Sequence, residues 1–596
     1  MAFTAFTACG PEDPENGGNE PDPQDDTPLL PDPFCWVATD AQGNSIDPDL
    51  GLYPDPAARK DRTVAVFYFL WHGCHGYDRP ANNNRVVPPT ANDVKSPFDI
   101  QKLLDANSSD PAMGDYGVMH HWGEPYLGYY VSDDEWVIRK HAQMLSDAGV
   151  DAIFFDATNG FHYLPVVRKL ASVYTQMRAQ GNKTPQFAFL LNTNVSKMAR
   201  TLWNEIYSTG EFMPLWFQWM GKPLLLANPA EVPDDIRDKF TLRQSWFIYN
   251  NPNTDAWFGN GEDKWPWGGW YPQQAGRHNG RNEWTFVMPA THPISNMGRS
   301  YDVVTRSEPL NPAPEKGTYF KSQFERAMDL DPQIIFFTGW NEWTAQRQKP
   351  EVCPAPYFVD QYNHEFSRDI EPLNGGFGDN YYYMMADFIR KFKGASRLPV
   401  FNQRKKIAID GSFADWAGVA ARWADDQGDV FHRNWFGWGR IGQYVNDSGR
   451  NDIVLVKTVN DAENIYFYVK TASELTPCTD PQWMQLFLRV SGKGKNWEGY
   501  DFAVNRSGVS EGSALLEKSA GGWAWEKVST VHFAASGCEM EIAIPLEDLG
   551  IKDADSFTFD FKFVDNAAGD GDIQTCMRDG DSAPDGRFRY RYKFLK

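Results

Sequence analysis

Between about residue 60 and residue 395, short unbroken apolar runs alternate with amphipathic stretches. The runs are VAVFYFL (64–70), AIFF (152–155), FAFLL (187–191), PLLL (223–226), WFIY (246–249), WTFVM (284–288) and IIFF (334–337). Continuous rather than alternating apolar character suits parallel strands covered on both faces. The helix ahead of the second run is well marked. Ser132-Asp133-Asp134-Glu135 reads as a capping box, with Ser132 over the amide of Glu135. Ile138, His141, Leu145 and Ala148 then recur at helical spacing, and Gly149 stops the helix. Seven such strands over this length predict a (β/α)8 TIM barrel with one strand unrecognised. A doubly wound open sheet is the alternative, but no Gly-rich dinucleotide loop supports it.

From about residue 398 the pattern changes. DIVLVKTVNDAENIYFYVKT, WMQLFLRV, CEMEIAIPLEDL, SFTFDFKFVD and RFRYRYKF alternate apolar with polar positions, separated by Gly, Asn and Asp turns. These are antiparallel strands with one buried face, and IAIDGSFADW opens the region in the same manner; together they predict a β-sandwich. A chain of 596 residues exceeds what one core fills. The organisation expected is a leader and linker over 1–33, a barrel over 34–397 and a sandwich over 398–596.

The leader MAFTAFTAC ends in Phe6-Thr7-Ala8-Cys9, close to the lipobox in which a bacterial cysteine is lipidated, and the Pro-, Gly- and acid-rich stretch after it has almost nothing to bury. The expectation is an exported lipoprotein of the bacterial outer membrane surface or periplasm, touching the membrane only through a lipid on Cys9. No apolar stretch approaches the length of a membrane span. A net charge of −22 repels nucleic acid and anionic lipid, which removes both as partners. Cysteines stand at 9, 35, 74, 353, 478, 538 and 576; with Cys9 lipidated, the other six are free to pair, in a connectivity the sequence does not choose. No CxxC pair occurs, so structural zinc is not expected; no cofactor is expected and no metal ligand is singled out, while the sequence leaves open whether the C-terminal region binds sugar or calcium.

Candidate chemistry collects where the apolar runs end, the active-site face of a barrel. Trp71, His72 and His75 follow the first run, Asp156 and Asn159 the second, Asn192 and Asn194 the third, and His292 the sixth; Trp340, Asn341, Glu342 and Trp343 follow the last. Asn192 and Asn194 read equally well as strand caps. A carboxylate directly after buried apolar residues is costly unless something uses it, which singles out Asp156 and Glu342. His120-His121-Trp122-Gly123-Glu124 adds imidazoles and an acid beside an aromatic; adjacent histidines diverge and no HExxH is present, so metal binding is the lesser use. The loop from Trp265 to Pro272 holds Trp267 and Trp270 among glycines and prolines, a stacking wall for flat ligands. Aromatics make up 15% of the chain, with 23 Trp, which favours ligands with apolar faces such as sugars. The segment FVDQYNHEFSRDIEP (358–372) is dense in Asp360, His364, Glu365, Arg368, Asp369 and Glu371 and cannot wander far from Glu342.

GVDAIFFDATNG, TGWNEWTA and GDNYYYMMADFIRKFKG together give residues 63 to 395 a resemblance to the glycoside hydrolase family 71/99-like group of (β/α)8 barrels, which includes endo-α-mannosidases. In that branch the motif is similar to NEWxE, the first Glu assisting attack by the substrate's own hydroxyl and the second acting as general acid/base. Glu342 matches the first, and Ala345 stands at the second. The resemblance therefore implies a glycosidase scaffold and no particular substrate. From IDGSFADW onward, Asp410, Gly411 and Trp416 resemble family 9-like carbohydrate-binding sandwiches, with Trp435, Trp438 or Trp497 as candidate sugar platforms.

The expected activity is hydrolysis of a glycosidic bond in an oligo- or polysaccharide by Glu342 and one further carboxyl group, sought in the order Asp156, Glu365, Glu124. Sugar contacts are expected from Trp71, His72, His121, Trp122, Asn159, Trp267, Trp270, His292, Trp340, Asn341, Trp343 and Arg368. The alternative, motivated by Ala345, is a catalytically inactive surface lipoprotein that binds glycan on a hydrolase scaffold. Sulfatase is disfavoured because Tyr357 stands where CxPxR needs arginine after Cys353, and no GxSxG elbow suggests a serine hydrolase.

Overall fold

In a computed structural model of the chain, the described residues are 29–74, 84–88, 100, 117–249, 251–291, 297–348, 358, 360–491, 493–507, 510 and 512–596. Cys9 with its leader, His75, His292 and Cys353 lie outside them. Seven parallel strands form one curled sheet: β1 (Thr63–Tyr68), β2 (Ala152–Ala157), β3 (Gln186–Leu191), β4 (Lys222–Leu226), β5 (Thr241–Arg243), β6 (Arg281–Val287) and β7 (Ile334–Phe337), in the order β6-β7-β1-β2-β3-β4-β5. Side chains alternate across it. Ala65, Phe67 and Phe69 face an interior shared with Phe154, Trp284, Phe286 and Phe336, while Val64, Val66 and Tyr68 face the helices.

The expected closed ring of eight strands is not formed among the described residues; the sheet is a half-barrel. Run 246–249 contributes only Phe247–Ile248, paired with Gly268–Gly269 apart from the main sheet, and the short, partly polar Thr241–Arg243 takes the edge position instead. The chain between β5 and β6 is too rich in Trp, Gly and Pro to sustain a ladder, and side chains close the gap. Trp265 stacks on Trp284 at 4.5 Å and 9°, and Trp284 lies 4.7 Å from Phe336.

Four of the helices that cover the outer face are α1 (Glu135–Ala148), α2 (Leu164–Ala179), α3 (Thr318–Leu330) and α4 (Asn380–Lys393). The cap of α1 is Asp134, not Ser132: its carboxylate accepts the Trp136 amide at 3.1 Å, and Glu135 turns outward to Arg139 and Lys169. Gly149 ends α1 in the left-handed conformation, φ 91°.

The C-terminal region holds one antiparallel sheet of eleven strands, with a separate two-stranded ribbon of Arg433–Phe436 and Gln443–Asn446, rather than two large facing sheets. The large sheet folds over on itself: Phe467, on strand Asn464–Thr471, packs against Phe559, Phe561 and Phe563 on Ser556–Asp565, although five strands separate them along the ladder. A sheet folded in this way is compatible with the expected sandwich. IDGSFADW is a turn ending in a 3-10 helix, Phe413–Trp416, with the Trp416 indole donating to buried Glu541. Trp438 and Trp497 are buried core residues, not platforms. This region docks on α1, where Arg433 reaches Asp134 at 2.8 Å and Gln143 donates to Asp429 at 2.8 Å. Among the described residues no disulfide links the cysteines and no helix is long and apolar enough to cross a membrane.

Candidate functional site

The site is built where β7 ends. Trp340 donates its amide to Phe67 O at 2.8 Å, carrying the β1–β7 pairing one step past the strand. Asn341 then acts as a latch: its Oδ1 accepts the Phe69 amide at 2.8 Å and its Nδ2 donates to Phe69 O at 3.2 Å. His72 Nε2 closes the other side on Asn341 O at 2.8 Å.

The segment 368–371 runs alongside 339–342. Gly339 donates to Arg368 O, Ile370 to Gly339 O and Glu371 to Trp340 O, at 2.9, 3.1 and 3.0 Å. Asp369 Oδ1 accepts the Glu342 amide at 2.6 Å. Two donors converge on Glu342 Oε2: Gln361 Nε2 at 2.6 Å and Arg368 Nη2 at 3.1 Å. Gln361 also accepts the Arg368 amide at 2.9 Å, so the two donors hold one another. The Arg368 guanidinium lies 3.5 Å from Asp360 and 5.4 Å from the centre of the Trp267 ring.

Glu342 is 3% exposed. Burial, with the charges of Asp360 and Asp369, raises its pKa well above the usual carboxylate range, partly offset by Arg368 and Gln361. Asp156, at the end of β2, accepts the Thr158 amide at 3.0 Å; burial pushes it up to about 6, with a contribution from Asp360. Asp360 thus bears on both carboxyl groups. Tyr249, 41% exposed, feels Asp360 and Arg368 as well.

Beneath this surface Glu371 gathers three donors: Tyr130 OH at 2.7 Å, His141 Nε2 at 3.0 Å and Trp343 Nε1 at 2.5 Å. Trp343 stacks on Trp122 at 4.6 Å, and the Trp122 indole donates to Glu342 O at 3.0 Å. Trp122, Trp340, Trp343, Asn341, His72 and His121 are all buried and support the strand end from below, where sugar contacts had been expected of them. His121 sits in Met119–His121, a strand paired with Thr344–Gln346, and Trp438 packs against it at 5.0 Å. At the open side are Trp71, Trp267 and Trp270, all partly exposed, and Asn159, exposed.

Glu365 is placed elsewhere: its carboxylate accepts the Ser300 amide at 2.6 Å and the Ser300 hydroxyl at 2.8 Å. Glu124 bears on Tyr444 of the C-terminal region. Gln361 and Asp369, which touch Glu342, were not singled out as site residues. The available signal was their position in the polar segment that follows β7. Among the described residues, the side-chain groups able to hold a metal are Glu262 with Asp263 and His278, and Asp425 with Asp429 and Asp581; neither includes a residue of this site.

No protein family profile matches the chain, and no curated protein does. Among solved structures it is similar to two of the GH99 endo-alpha-mannosidase from Bacteroides thetaiotaomicron. One has 15% identity and a TM-score of 0.32, covering 55% of this chain and 97% of that one. The other has 16% identity and a TM-score of 0.32, over 56% and 98%. A structure described as a glycoside hydrolase-like protein follows, with 12% identity and a TM-score of 0.29, over 55% and 94%. Similarity at that level fixes neither activity nor substrate.

Proposed function

We propose that the chain is a glycan-acting hydrolase in which Glu342 is the proton donor. The observation that carries this reading is a buried carboxyl group held by Gln361 and Arg368 past the C-terminal end of a parallel strand, with the Arg368 guanidinium over the ring of the partly exposed Trp267. Kept protonated by burial, Glu342 gives its proton to the departing glycosidic oxygen as the bond to the anomeric carbon breaks. Asp156, ionised above about pH 6, is the second carboxyl group. It either attacks the anomeric carbon or takes the proton of a water that does, according to the separation of the pair. Trp71, Trp267 and Trp270 offer apolar faces to pyranose rings.

The test is release of sugar from a broad glycan panel by the native protein, Glu342→Gln, Asp156→Asn and Asp360→Asn. Turnover lost in the first two supports the assignment. Turnover lost in Asp360→Asn but kept in Asp156→Asn moves the second role to Asp360, whose charge reaches both acids. Turnover unaffected by Glu342→Gln refutes the reading.

A second reading, glycan capture without turnover, is favoured by one observation: Ala345 is buried in Thr344–Gln346 and paired with His120, so that motif position supplies no carboxylate. Equal binding by the native protein and Glu342→Gln, with no product from either, would establish it. From the lipobox-like Phe6-Thr7-Ala8-Cys9 we further propose an exported protein tethered through Cys9; fatty-acid labelling that persists in Cys9→Ser would refute the tether.

A further inference from the structure

Away from Glu342, where α1 meets the C-terminal sheet, carboxylates crowd together below the surface. Asp425, Asp429 and Asp581 are 8%, 9% and 2% exposed, and one oxygen from each lies within 4.8 Å of the others. Each spends one oxygen on the protein. Asp425 Oδ1 accepts the Tyr590 hydroxyl at 3.0 Å, Asp429 Oδ2 the Gln143 amide at 2.8 Å and Asp581 Oδ2 the Ile453 backbone amide at 2.6 Å. The second oxygen of each, Asp425 Oδ2, Asp429 Oδ1 and Asp581 Oδ1, is buried with no hydrogen-bond partner. Asp452, 8% exposed, repeats the arrangement, with Oδ2 on the Gly428 amide at 2.9 Å and Oδ1 without a partner.

Asp147, Asp426 and Asp585 add further acid to the same neighbourhood, against Lys140 from α1 and Lys562 from the sheet, with Lys183 acting on Asp426. Lys140 Nζ is 3.4 Å from Gln143 Oε1, and Lys562 Nζ donates to Pro584 O. Two buried lysines do not balance seven carboxyl groups. Burial and mutual repulsion push Asp426 and Asp452 up to about 8 and Asp585 to about 7. Buried carboxylate oxygens left unpaired are costly, and a bound cation would remove that cost.

We propose that Asp425, Asp429 and Asp581 bind a calcium ion at this junction, with Asp452 beside it. The donors are all oxygen, which selects a hard cation. Calcium–oxygen distances run about 2.3–2.6 Å in irregular geometry, so oxygens on one ion stand no more than about 5 Å apart, and the three carboxylates each bring an oxygen within 4.8 Å of the others. Tyr590, Gln143 and the Ile453 amide orient the ligands from behind, as supporting groups at metal sites do. The ion would join Gln143 of α1, through Asp429, to the C-terminal sheet, and so fix one region on the other whatever Glu342 does.

The test uses the full chain stripped with a chelator and titrated with calcium chloride by calorimetry at neutral pH, with thermal unfolding measured alongside. One equivalent should bind and raise the unfolding midpoint, and Asp429→Asn should weaken binding at least about tenfold. Terbium supplies a second measurement that needs no variant: Tyr590, whose ring lies 5.5 Å from that of Trp423, should sensitise its emission, and calcium should quench it. Absence of heat, midpoint shift and sensitised emission in the folded native chain overturns the proposal. So does equal affinity in a folded Asp429→Asn. A chelator-treated chain that loses stability as pH rises and ignores calcium would mean that protons, not a cation, neutralise the cluster.

Discussion

Asn341→Leu tests whether the motif's asparagine is a structural latch rather than a sugar contact. The side-chain amide satisfies both backbone groups of Phe69, the N–H at 2.8 Å and the C=O at 3.2 Å, in a region where Phe69 and Asn341 are 3% and 1% exposed. Leucine has nearly the same shape and fills the space without leaving a cavity, so the change isolates the hydrogen bonds. Each buried backbone group left unsatisfied costs about 1–3 kcal/mol, and the two together about 2–6 kcal/mol. The His72 bond to Asn341 O uses backbone and survives the substitution. In the assay, urea unfolding gives the midpoint, while hydrogen exchange of the peptide spanning β1 locates the loss, because a chain of several regions need not unfold in one step. The expected result is a lower midpoint for the transition that includes β1, with faster exchange at Phe69. A loss under about 1 kcal/mol with unchanged exchange would refute the latch and return Asn341 to the ligand.

Three further outcomes are expected. Asp156 holds its proton up to about pH 6 in the folded chain against 3.8 ordinarily, so the native state binds the proton more tightly than the unfolded one. Its stabilisation is therefore complete below pH 4 and falls by about 3 kcal/mol as pH rises through 6; urea midpoints of Asp156→Asn should lack that slope. Arg368→Met removes the cation from Glu342 and should raise its pKa further, read as a protonated-carboxyl infrared band that persists to higher pH than in the native chain. An unchanged band would show that Arg368 does not act on Glu342. In Gly298→Ala the new methyl would meet Glu365 Oε1, driving that carboxylate off the Ser300 amide and costing about 1–3 kcal/mol in thermal or urea unfolding.

The parallel sheet was legible because its strands are continuous apolar runs, and a strand buried on both faces has no other way to be written. β5 escaped notice for the complementary reason: Thr241-Leu242-Arg243 is short and partly polar, and Arg243 is tolerable there through partners distant in sequence, Glu283 at 2.7 Å and Asp263 at 3.4 Å. Closure of the barrel was not legible because it depends on the chain between β5 and β6. Trp265 and Trp267 look alike in sequence, yet one stacks inside on Trp284 and the other reaches the open face. Burial of an individual tryptophan is a property of tertiary packing and leaves no local signature. The same holds for Trp122, Trp340 and Trp343, whose aromatic character pointed to sugar but whose positions form the floor of the site.

The search for a second acid in the motif's own strand fails for a geometric reason. After Glu342 the chain enters Thr344–Gln346, where Ala345 pairs with His120 and is buried. A carboxylate there would need its own partner in a packed interior. The groups that set the chemistry of Glu342 come instead from 360–369, which the sequence marked only as a dense run of charge. Within that run, identity alone does not separate Glu365, bound to Ser300, from Asp369, bound to the Glu342 amide. What separates them is the backbone pairing of 368–371 with 339–342, which puts Arg368 and Asp369 against the strand end and leaves Glu365 beyond it. A charged segment close in sequence to a candidate acid is thus informative about where its partners lie, while the choice among its residues follows from the pairing register.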